Sequence, residues 1–264
     1  MRAVFKSLAN KYKQVDPPKP VTRRLAAGHP DWIDESMRWL ADEFGDAMLL
    51  RPIVRPADFI PADNDGSTEA ARELFAKVCD RMDVEADRLD LRFDLDEVPP
   101  HLSPARLDQL THQRVSEVVK GRFGQWREGE DRNLVLVAAG LLAQPEVLVA
   151  VFAHEVGHEA LLGAGRIDRY RRDQEALTDL FAVFAGFGIL MANSAHAPLP
   201  EGLEGGNAPR FYLREHALSD ALAYYASLRE ERTLPSWAKH LDWPVRIRAM
   251  SRLSKLEEAA QGGK

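Results

Sequence analysis

The residues with the clearest chemical potential lie in the run His-Glu-Val-Gly-His, which contains His154, Glu155 and His158, and in Glu175 and Asp179 further along. Two histidines four apart on a helix project from one face, about one turn from each other. Each can offer a ring nitrogen to a zinc ion at roughly 2.0–2.1 Å. Glu155 falls on the adjoining flank, where a base acting on a zinc-activated water belongs. A catalytic zinc needs a third protein ligand and keeps a fourth position for water. Glu175 is the candidate third ligand. Asp179 shares its face at i+4 and is spaced to accept a hydrogen bond from the free ring nitrogen of a ligand histidine, fixing its tautomer.

Two helices must carry these groups. Leu148, Val151, Phe152, Val156 and Leu162 recur at helical spacing, which predicts a buried helix over 147–162. The segment Asp173 to Asp179 opens a second apolar helix running to about Met191. Gly163, Ala164 and Gly165 let the chain turn back so that the two helices meet.

A His-Glu-x-x-His helix followed by Glu-x-x-x-Asp on a second helix resembles the gluzincin group of zinc metallopeptidases, over roughly residues 115–192. The resemblance implies that His154, His158 and Glu175 bind Zn2+, that Glu155 is the general base, and that Asp179 supports a ligand histidine. The third-histidine pattern of metzincins is absent, because Gly157-His158-Glu159-Ala160 is not followed by Gly and His at that spacing. The implied fold is α+β, a mainly helical zincin-like metallopeptidase with a small β-sheet beside the HExxH helix and an N-terminal subdomain. The implied partner is a peptide or protein substrate. A sheet-edge strand, Leu134–Ala138 or its neighbour, would pair with an extended peptide by strand addition. Metallopeptidases of this type often stabilise the oxyanion with a histidine or tyrosine. The candidates are His216 and Tyr212, with Tyr224 and Tyr225 beside them.

Two classes of function follow from the motif. One is a zinc-dependent peptidase, with Glu155 taking the proton of the attacking water. The other is a non-catalytic zinc-binding sensor or interaction protein on the same scaffold. Glu155 favours the first, since a structural site has no need of a carboxylate at that position. A fourth protein ligand would mark the second.

The rest of the chain bounds these readings. Its 264 residues can bury a real core, and 45% hydrophobic with 29% charged residues is an ordinary soluble composition. A net charge of −6 argues against nucleic acid as the main partner. The lone Cys79 excludes an internal disulfide and fits the apolar pattern of Leu74, Val78 and Met82 as a core thiol. No apolar run approaches a membrane span; the longest, Leu180 to Ala192, is interrupted by Gly186 and Gly188. With no secretory pattern at the start, the expected location is cytoplasmic and no membrane partner is expected.

Three regions are expected: a basic, loosely ordered arm over 1–30, an N-terminal α/β subdomain over 31–100, and the metallopeptidase domain over 101–260. Trp32, Met37, Leu40 and Phe44 predict a helix over 31–48 with an end or break at Gly45. Leu49 to Ile60 reads as a short strand and loop, and Ser67 or Thr68 caps a helix reaching Met82. Leu91, Phe93 and Leu95 alternate as a strand, and Pro99-Pro100 marks a break. Ser103, Pro104 and Leu107 begin a helical or coiled stretch, and Val115 to Phe123 reads as strand. Gly124 to Asp131 is expected as a turn and Leu134 to Ala138 as a strand. Ser194 to Arg210 reads as a surface loop able to act as a lid. Phe211 to Arg229 and then Pro244 to Leu256 are expected as helices, with a frayed tail.

Overall fold

A computed structural model describes residues 27–93, 123–195, 197–198, 210–231 and 235–262. Helix α1 (Pro30–Phe44) starts with Pro30 in its first turn and the His29 ring accepting from the Asp31 N–H, and it buries Trp32, Ile33, Met37 and Leu40. It stops at Gly45, whose φ of 75° suits glycine, and a short helix α2 (Asp46–Leu49) follows. The expected strand within 49–60 is replaced by a turn of helix, α3 (Pro56–Phe59). Pro56 pre-sets its first turn, and the Val54 N–H finds its acceptor in the Gly186 carbonyl rather than in a sheet partner. Ser67 caps α4 (Thr68–Arg81) by accepting from the Ala70 N–H, and Leu74, Val78, Cys79 and Met82 face inward. Burial pushes the Cys79 thiol up to about 12.

The sheet holds three strands, β1 (Leu89–Phe93), β2 (Gly124–Arg127) and β3 (Asn133–Val137), in the order β1-β3-β2. β1 runs parallel to β3 with Leu91 opposite Val135, and β2 runs antiparallel to it with Trp126 opposite Val135. The stretch 124–131 is therefore strand first and turn second. Gly, Gln and Arg have little intrinsic strand preference; pairing with the apolar β3 imposes the extended state. β3 is central, so among the described residues the sheet edge nearest the site belongs to β2.

Helix α5 (Pro145–His158) continues into a π-helical turn at Glu159–Gly163, and α6 (Gln174–Ala182) runs to a kink at Gly186 (φ 97°), beyond which lies α7 (Gly188–Ser194). By length and composition Gln174–Ser194 is long and apolar enough to cross a membrane, but Gly186, at φ 97°, breaks the helix within it, as the glycines led one to expect. Nearly all of it is buried within the fold as a core helix. Helix α8 (Glu215–Leu228) begins four residues later than expected, leaving 211–214 as a bent approach to the site. α9 (Trp243–Gly262) closes the chain.

The architecture is mostly helical with a small mixed sheet, compatible with α+β. One continuous core runs from Trp32 to Leu253, so the described part of 31–100 shares its packing with the later helices. Residues 1–26 of the arm expected over 1–30, Leu95, the Pro99-Pro100 break, the stretch from Ser103 to Leu107, residues 115–122 and most of the 194–210 loop lie outside the described residues, and Pro30 already belongs to α1.

Candidate metal centre

His154 and His158 occupy the last turn of α5, one turn apart as their spacing requires. Glu175 sits in the first turn of α6, which packs against α5. The head of α6 is anchored by a buried cluster. Asp173 pairs with Arg171 and accepts from the Trp32 indole N–H of α1 at 2.9 Å. This cluster fixes where Glu175 enters the site.

Three candidate ligand atoms converge. His154 Nε2 and His158 Nε2 are 3.1 Å apart, and Glu175 Oε2 lies 3.4 Å from the first and 3.3 Å from the second. Two ligands on a tetrahedral zinc, each about 2.05 Å from the ion, are about 3.3 Å apart. The triangle therefore has the edge lengths of one face of a zinc tetrahedron, and the donor set of two imidazoles and a carboxylate suits zinc. Among the described residues no fourth histidine, cysteine or carboxylate joins the group.

The other ring nitrogens are spoken for. His154 Nδ1 lies 2.7 Å from Oδ1 of the fully buried Asp179. The Thr178 hydroxyl donates to the Gln174 carbonyl at 2.8 Å, which leaves a lone pair toward His158 Nδ1 at 3.4 Å. Both arrangements favour a proton on Nδ1, so each ring, once neutral, would turn its Nε2 lone pair toward the triangle. Thr178 escaped the sequence reading, although its place between Glu175 and Asp179 on one helix was the available signal.

The site is strongly anionic. Burial disfavours protonation of His154, but the Asp179, Glu175 and Glu155 carboxylates more than offset it and hold the imidazole up to about 10. Burial works to raise Glu175, yet its two histidine partners keep it well below the usual carboxylate range. Such a centre favours a bound cation.

Glu155 is 3% exposed, and burial, opposed by His154 and His158, raises its pKa. The Trp126 backbone weakly favours the ionised form of its carboxylate, while Oε2 is buried with no hydrogen-bond partner. Gly124 of β2 lies directly against it: a Cβ there would fall 2.6 Å from Glu155 Oε1 and 2.8 Å from Val151 Cγ1. This glycine serves a close approach of strand to helix, not the expected turn.

These groups line a cavity of about 460 Å³, walled by Phe123, Trp126, Leu162, Ile167 and Tyr212 among others. The Tyr212 ring lies parallel to the His154 ring at 6.1 Å. His216 is exposed and absent from the cavity lining, because helix α8 turns it outward. Tyr224 accepts from Arg38 elsewhere, and Tyr225 is buried against Leu49 and Arg229. Tyr212 is thus the one of these four residues in the cavity wall. No protein-family model, curated protein or solved structure matches this chain.

Proposed function

We propose that this protein is a zinc-dependent peptidase with a zincin-like centre. The observation that carries the reading is the 3.1–3.4 Å triangle of His154, His158 and Glu175 beside the unpartnered carboxylate oxygen of Glu155, in one cavity. His154, His158 and Glu175 would hold the zinc, with Asp179 and Thr178 fixing the two rings. Bound there, zinc supplies Lewis acidity, polarising a peptide carbonyl and acidifying a nearby water. Glu155 accepts the proton of the attacking water at Oε2 and returns it to the leaving nitrogen. Its raised proton affinity, from burial, brings it nearer to the neutral range where such a base works well. Tyr212, 43% exposed at the cavity wall, would donate to the oxyanion that develops. The edge of β2 would align an extended peptide by strand addition, the task that falls to the neighbour of 134–138 because β3 is paired on both sides. A set of three protein ligands in an open cavity favours catalysis over a purely structural or sensing role.

The test is metal content and cleavage of a diverse peptide library by the full chain. About one zinc per chain is expected, with peptide-bond hydrolysis that a chelator abolishes and added zinc restores. A chain that takes up no zinc, or cleavage indifferent to the chelator, would overturn it.

A further inference from the structure

Glu159 follows the ligand His158 and takes no part in the reaction above. It is 2% exposed, yet its carboxylate gathers donors from the sheet. Trp126 Nε1 of β2 donates to Oε2 at 3.1 Å, and Asn133 Nδ2 at the start of β3 donates to the same oxygen at 2.6 Å. Arg88, just ahead of β1, forms an ion pair with Oε1 at 3.1 Å, without hydrogen-bond geometry. A buried carboxylate persists only with such partners. Gly163 makes the room, because a Cβ there would lie 2.4 Å from Glu159 Oε2. The helix opens into its π-turn over Glu159–Gly163, a distortion that recurs at functional sites.

Trp126 connects this cluster to the metal centre at three points. Its indole stacks on the His158 ring at 6.2 Å and 28°. Two residues before it on β2, Gly124 lies directly against Glu155. Its side chain lines the cavity. The indole has a single N–H to donate, and Glu159 takes it.

We propose that Glu159 is a positioning residue for the reaction: by fixing Trp126 it sets the orientation of the His158 ring and seats the edge strand β2 against Glu155. Its consequence for catalysis rests on the metallopeptidase reading. The positioning itself does not, which allows the two to be tested apart. A carboxylate that merely tied sheet to helix would leave the indole in place when replaced.

The test uses the full chain, with Trp126→Phe as background so that the difference spectrum reports Trp126 alone. In the metal-free protein, Glu159→Ala should shift Trp126 emission to the red and raise its quenching by acrylamide about twofold or more, as an indole freed from its acceptor becomes wet. Glu159→Gln, whose amide oxygen can accept from both Trp126 and Asn133, should stay near wild type. Gly163→Ala pushes the carboxylate aside while keeping every partner. It should reproduce the alanine result, and it covers the case in which Glu159→Ala does not fold. Titration with Co2+ should quench Trp126 in wild type and Glu159→Gln more strongly than in Glu159→Ala. Folded Glu159→Ala and Gly163→Ala proteins with unchanged Trp126 emission and accessibility would overturn the proposal, as would a Gln variant as perturbed as the alanine one. Absence of Co2+ uptake by every form would count against the metal centre, while the metal-free spectra would still decide the role of Glu159.

Discussion

Asp179 Oδ1 lies 2.7 Å from His154 Nδ1, and its other oxygen accepts from the Leu213 backbone N–H at 2.8 Å. One buried carboxylate therefore orients the His154 ring and holds the segment that carries Tyr212 over that ring. Asp179→Ala should lower zinc affinity about 10–100-fold, as loss of an outer partner of a ligand histidine does. Glu175→Ala removes a proposed ligand atom and should cost more. Competition against a chromophoric chelator measures both, and the reverse order of severity would show the two roles exchanged.

Proton release on metal uptake follows from His154. Its folded-state pKa of about 10 lies above the unfolded value near 6.5. In the metal-free chain its protonation therefore adds stability that is complete below about pH 6.5 and is lost as pH rises through about 10. Zinc needs the neutral ring, so binding at pH 7.5 should expel about one proton from this site, and affinity should rise with pH over that window. Calorimetry in buffers of different ionisation enthalpy reads the proton count. A count of zero would contradict the site as described.

Gly124 gives a test of geometry without touching a functional group. Gly124→Ala places a methyl 2.6 Å from Glu155 Oε1 and should displace that carboxylate. Hydrolysis should fall by about 100-fold, the scale of an ångström-level misplacement, while zinc content stays unchanged. Full activity with zinc retained would show that Glu155 tolerates the displacement and is not the base.

Much of the centre was legible because its parts are local. His154 and His158 share a helix, as do Glu175 and Asp179, and helical spacing alone pairs them. The meeting of the two helices needed only the glycine-bearing turn between them. What was hidden depends on contacts distant in sequence. Trp126 reaches Glu159 across 33 residues and Asp179 reaches Leu213 across 34. β2 is a strand only because β3 pairs with it, so its Gly-Gln-Trp-Arg sequence resembled a turn. His216 looked as plausible as Tyr212 because the start of α8, which decides which of them faces the cavity, carries no side-chain cap to announce it.

The central claim, that Glu155 is the base of a zinc peptidase, is tested most directly by Glu155→Gln. The substitution keeps the size of the side chain and removes its basicity. Zinc content and thermal unfolding should match wild type, while cleavage of a peptide substrate selected from the library should fall by about 100-fold or more. Cleavage by the Gln form at the wild-type rate, from protein free of contaminating protease, would contradict the account.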